Sequence, residues 1–169
     1  MLKLMIKEII DDFKGSDTIP DIFEVVKKSV WETIKKSRAG LELGLSELGN
    51  TQKGFLGAFY IGGSNMIVMN ETPLRRIQET NPELLNPYIF TVLLHEYLHS
   101  LGYFDEVEVR KLTLSICLEI FGKRNVITHM AADITQFFPK LIYPEGSPHM
   151  PSKVRLIEDF DKSSIRYIG

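Results

Sequence analysis

The chain is short of several things, and each shortage narrows what it can be. It has one cysteine, Cys117, in 169 residues, so no internal disulfide can form. Small secreted domains lean on such bonds, and a chain without them points to a reducing, cytoplasmic setting. Cys117 itself lies among apolar neighbours in a helical pattern and reads as core. No stretch approaches the roughly 20 apolar residues that a membrane span needs. The opening MLKLMIKEIIDDFK carries charges throughout and has no small-residue cleavage site, so it does not read as a secretory leader. Net charge is only −2, which gives no reason to expect nucleic acid or an acidic membrane surface as partner. Repeats and low-complexity segments are absent. What is present, 44% hydrophobic and 25% charged, is ordinary for one globular domain over 1–169 with a sizeable core.

Against that plain background one stretch stands out: His95-Glu96-Tyr97-Leu98-His99-Ser100-Leu101-Gly102-Tyr103-Phe104-Asp105. It opens with H-E-x-x-H. On a helix the two histidines at i and i+4 lie one above the other, so both imidazoles can reach one metal ion. Glu96 lies about 100° further round, poorly placed to ligate but able to reach a water at the metal. That is the arrangement of a general base beside a Lewis acid. The flanking letters support a helix. Asn86-Pro87 is a good start, Ile89 to Leu101 is apolar nearly all round, and Gly102 fits a left-handed stop. The helix should therefore be buried and central, with the histidines near its end. Burying both beside a carboxylate is costly without a compensating charge, which Zn2+ would provide.

The eleven residues from His95 to Asp105 resemble the extended motif of metzincin-type zinc peptidases, H-E-x-x-H-x-x-G-x-x-H/D, in its snapalysin-like Asp form. The resemblance implies a zincin-like fold, a zinc ion held by His95, His99 and Asp105, and Glu96 as catalytic base. It also implies a methionine turn beneath the metal. Met130 sits in a helical pattern and Met150 in the tail, so neither is expected to form one. Other third ligands stay open. Glu106 and Glu108 are close in height, while Glu119 has a spacing that resembles the thermolysin-like gluzincins. At about 1.5 Å per residue, Glu119 would lie roughly 20 Å along the following helix, past His95. Asp105 also has a rival role, because Asp105-Glu106-Val107-Glu108 reads as a capping box.

Elsewhere the period predicts helices over 2–14 and 20–37, with the lysines of the second as a solvated face. Strands are expected at 41–45, 54–61 and 66–69, the last two joined through Gly62-Gly63-Ser64-Asn65 as a hairpin. A short helix covers 72–78, and further helices cover 106–121 and 125–138. In zincins an edge strand just upstream of the metal helix pairs with extended substrate, and 65–70 is placed like that strand, though it reads equally well as part of an ordinary internal hairpin. The segment 139–169, punctuated by Pro144, Gly146, Pro148 and Pro151, reads as an extended tail. His129 falls inside the helix over 125–138 with no partner motif nearby, His149 reads as exposed, and Tyr88, Tyr97 and Tyr103 are the tyrosines available to assist catalysis.

The expected whole is an α+β, zincin-like domain: a small sheet or hairpin packed on a buried active-site helix, with further helices. Its expected activity is zinc-dependent hydrolysis of a peptide or protein substrate. Two other classes fit parts of the pattern. Zinc endoribonucleases share H-x-x-x-H-x-x-G-Y, but place a third His where this chain has Phe104, and the slightly acidic charge argues against RNA. A non-catalytic zinc-binding interaction protein would keep the ligands without turnover.

Overall fold

The computed structural model describes residues 1–144 and 148–161. Two helices come first, α1 (Leu2–Lys14) and α2 (Ile19–Ile34). Thr18 and Asp21 form a reciprocal capping box at the start of α2, with Pro20 in its first turn. The helix stops three residues short of the expected Ser37, because Lys35 takes a left-handed conformation with φ 55°.

Strands β1 (Glu42–Ser46), β2 (Phe55–Leu56), β3 (Ala58–Tyr60) and β4 (Met66–Asn70) follow. The expected strand over 54–61 is divided at Gly57 because its halves have different partners. The β3 half pairs antiparallel with β4, as the hairpin signal predicts, while β2 pairs with β5 (Leu141–Ile142) far along the chain. The larger sheet has the order β3-β4-β1-β6, with β6 at Arg155–Leu156. Of the two readings of 65–70, the substrate-pairing edge strand and the internal hairpin strand, the structure shows the internal one. β4 is flanked by β1 in parallel and by β3, since the apolar run Met66–Met69 is buried on both faces. The edge nearest the central helix is β3.

Alternation sorts the sheet residues between two layers. Leu43, Leu45, Ala58, Ile67 and Met69 join the main core under the helices, whereas Phe59, Met66 and Val68 form a smaller cluster on the other face. Gly44 is on that second face: a Cβ there would lie 2.3 Å from Val154, so the residue must be small to admit the C-terminal segment.

Helix α3 (Glu71–Thr80) leads through a 3-10 turn at Pro82–Leu84 into α4 (Leu85–Ser100). Asn86 does not cap α4; its side-chain amide donates to the Ser16 carbonyl at 3.2 Å, tying the helix to the end of α1. Helix α4 packs against α2, β3, α5 (Glu106–Phe121) and α6 (Val126–Ala132). Its residues from Pro87 to Leu98 are all buried, matching the apolar surround in the sequence. The expected helix over 125–138 ends early, at Ala132. Asp133 turns extended and its side chain accepts from Thr135 N–H, starting a 3-10 turn.

The tail is divided. Residues 141–144 lie beside α4 through β5, while 154–161 run along the opposite edge of the sheet. There Phe160 stacks on Phe23 at 4.0 Å, and Asp161 accepts from the Gly40 and Leu41 amides and pairs with Lys27. Residues 145–147 and 162–169 of the expected tail lie outside the described residues. Among the described residues no helix is long and apolar enough to cross a membrane.

Candidate metal centre

One turn separates His95 from His99 on α4, and their ring centroids are 4.9 Å apart. Past Ser100 the chain reverses at Gly102, whose φ of +104° lies where a side chain would be strained. This reversal brings the first turn of α5 back over the histidines. Glu106 then faces both rings: its Oε2 lies 3.0 Å from His95 Nε2 and its Oε1 lies 2.7 Å from His99 Nε2. Ligand atoms of His95, His99 and Glu106 all fall within 4.8 Å of one another, so the group can hold a metal ion.

Asp105 is elsewhere. Its carboxylate caps α5, accepting from Val107 N–H at 2.8 Å, and the residue is exposed. Of the two roles that compete for this carboxylate, the structure shows the cap, and the neighbouring Glu106 takes the place beside the histidines. Glu108 and Glu119 are exposed and outside the cluster. His129 and His149 are exposed as well, and neither joins it.

The donor set fits a cation. His99 Nδ1 lies 2.8 Å from the Tyr103 carbonyl, an acceptor only, so Nδ1 carries the proton. In the neutral ring Nε2 then offers a lone pair, and it faces a carboxylate oxygen. Two acceptors in contact require a proton or a metal ion between them. Burial lowers the His95 pKa despite the nearby Glu106 carboxylate, which favours the neutral ring that ligates metal. Burial works to raise Glu106, yet His95 and His99 outweigh it and hold its carboxyl below the ordinary value. Two imidazoles and one carboxylate form a set that zinc accepts, with a fourth position left over.

Glu96 lies beside this group and does not join it. It is 3% exposed. Burial, with the Glu106 charge adding to it, pushes its pKa well above the ordinary carboxyl range, and the Tyr60 backbone amide opposes the shift. Among the described residues its Oε2 has no hydrogen-bond partner. Such a buried polar atom calls for an explanation, and an unfilled role in chemistry is one.

Sequence reasoning missed Tyr143. Its ring stacks on His95 at 4.5 Å and 18°, and the Arg110 guanidinium lies 4.7 Å over the same ring. Burial pushes the Tyr143 phenol up to about 12. No local pattern marks this residue; it reaches the site because β5 pairs with β2. Of the tyrosines singled out from sequence, Tyr97 has its hydroxyl engaged by the Arg38 amide at 3.1 Å, and Tyr103 contributes its carbonyl to His99. The Tyr88 hydroxyl is buried without a partner among the described residues, close to where Gly57 leaves room for it. Met130 lies inside α6, and Met150 is exposed. A cavity of about 450 Å³ opens beside His95, between α4, α5, α6 and the β5 segment, and Met130 is part of its wall.

No protein-family model, curated protein or solved structure matches the chain.

Proposed function

We propose that the protein is a zinc-dependent peptidase of zincin-like design, with His95, His99 and Glu106 as ligands and Glu96 as general base. The observation that carries this reading is the buried Glu96 carboxyl, one oxygen unpartnered, beside three metal-ligating side chains. When bound, the ion supplies Lewis acidity to a substrate carbonyl and to water.

The remaining work belongs to the chain. Glu96 accepts a proton from the attacking water and passes it to the leaving amine nitrogen. Burial raises its pKa above the ordinary carboxyl range, so the carboxyl holds the transferred proton more readily than a solvated one would, which suits the hand-over to the amine. The Tyr103 carbonyl fixes the His99 ring, which keeps its Nε2 directed at the cluster. The β3 edge lies against α4, and among the described residues no strand pairs with its outer side. It offers an extended peptide backbone a place to add as a further strand. Cys117, a buried thiol whose pKa burial lifts to about 12, is inert and suits the cytoplasm.

The test is turnover of a diverse peptide library by the zinc-loaded protein and by Glu96→Gln. The variant should keep its zinc and its fold and lose about 10²–10⁴-fold in rate. Near-native turnover by the variant would remove Glu96 as base. A wild-type protein with stoichiometric zinc and no turnover would mean a binding protein instead.

A further inference from the structure

The cavity beside His95 follows the groove between α4 and α5. On α4 it runs from His95 back to Thr91, one turn earlier; on α5 it runs from Arg110 on to Leu114, one turn later. Met130 and Leu141 close it at depth and are buried. Its inner wall is therefore mostly apolar, and one end adjoins the metal ligands.

The charged groups sit at its mouth. They are Arg110, Lys111 and Asp133. Asp133 accepts at its Oδ1 from the Thr135 backbone N–H at 3.1 Å and from the Thr135 hydroxyl, and it makes no ion pair with Arg110. Arg110 is different. Glu106 stands one helical turn before it, but gives both carboxylate oxygens to the histidines. Among the described residues Arg110 makes no ion pair and no hydrogen bond; its contact is with the face of Tyr143. That stacking sets the plane of the guanidinium, and its N–H fork, exposed to solvent, meets no protein acceptor among the described residues. A planar fork held in advance is a receptor for a planar anion, because a carboxylate can accept two parallel N–H bonds from it.

We infer that this cavity takes a carboxylate-bearing residue of the substrate, with the Arg110 guanidinium as receptor and Tyr143 as the platform that positions it. The inference rests on the hydrolase reading above and names its substrate class: peptides with an acidic group next to the bond cleaved. The carboxylate has two sources, an Asp or Glu side chain or the α-carboxylate of a chain end.

Binding separates this inference from turnover. Three short peptides are made with the bond at the cleavage position reduced, so that they cannot be hydrolysed. The first two are blocked at both ends and carry Glu or Gln after that bond. The third ends there in a free α-carboxylate. Affinities are measured by calorimetry for zinc-loaded wild type, Arg110→Met and Arg110→Lys. The Glu peptide should bind about tenfold more tightly than the Gln peptide, and Arg110→Met should erase the difference. Arg110→Lys should restore only part of it, because an ammonium has no fork. Zinc affinity should stay level across the three proteins, which separates Arg110 from the ligand set. Equal binding of Glu and Gln peptides overturns the inference, as does a preference that survives Arg110→Met. Tightest binding of the free-end peptide supports the anion receptor and makes the chain end its ligand. Acid-selective binding with no cleavage of the unreduced peptides keeps the receptor and overturns the peptidase reading.

Discussion

Adjacent carboxylates at the start of α5 have separate tasks, and mutation should separate them. Asp105 accepts the Val107 amide and caps the helix, whereas Glu106 faces both histidines. Asp105→Ala should cost about 1 kcal/mol of folding stability and leave zinc affinity near native. Glu106→Ala should do the reverse, and a zinc titration beside urea unfolding of each variant checks the pair. Loss of zinc in Asp105→Ala, with Glu106→Ala unaffected, would return the ligand role to Asp105. Glu96 gives a second residue-level prediction. Its pKa is raised in the folded chain, so its contribution to stability is whole below the unfolded value of about 4.3 and is lost as pH rises through the folded value. The Gln variant has no such loss. Metal-free Glu96→Gln should therefore gain on metal-free wild type as pH increases above about 4.3. His95, whose pKa is lowered, acts oppositely: its contribution is present above about 6.5 and lost as pH falls. That effect is shared by both proteins, so it drops out of their difference to first order. A pH-independent difference in urea midpoints would show that Glu96 does not titrate in this way.

At the scale of elements, α4 was the most legible. An apolar surround from Ile89 to Leu101 predicts a buried helix, and the observed helix is buried from Pro87 to Leu98. The capping of α5 by Asp105 was also readable, because it depends on neighbours in sequence. The division of 54–61 into β2 and β3 was not. It is set by β5, which lies more than 80 residues along the chain. Nor was the position of β4 readable, since a run such as Met66-Ile67-Val68-Met69 suits an edge or an internal strand until its partners are known. The β2–β5 pair depends on Gly54, whose φ is +138°. A Cβ there would sit 2.1 Å from the Lys140 carbonyl oxygen. Gly54→Ala should thus cost about 2 kcal/mol or more. It should also lower peptide turnover by displacing Tyr143 from His95, while zinc affinity changes little. Thermal unfolding, peptide turnover and zinc titration of this one variant test these outcomes. An unchanged melting temperature would mean that the β2–β5 pair contributes nothing to the fold.

For the whole molecule, a metal ion held by the cluster would link binding to folding, because the cluster joins α4 to α5 and exists only in the folded chain. Zinc at a thousandfold excess over its dissociation constant adds about 4 kcal/mol, or roughly 8–16 °C in melting temperature for a chain of this size. A chelator should reverse the shift, and His95→Ala/His99→Ala should not show it. An equal rise in that double variant would place the zinc elsewhere. By itself the sequence determined whatever depends on near neighbours: the buried helix, the two histidines on one face, the glutamate beside them, the hairpin and the cap. One turn of helix sets those distances, so spacing is enough. Only the tertiary structure decided which carboxylate faces the histidines, which strand is the edge, and that Tyr143 stacks on His95 with Arg110 over its ring. Those outcomes depend on how the chain reverses at Gly102 and on which distant strand pairs with β2. Local periodicity carries no record of either, because both are settled by packing between segments remote in sequence.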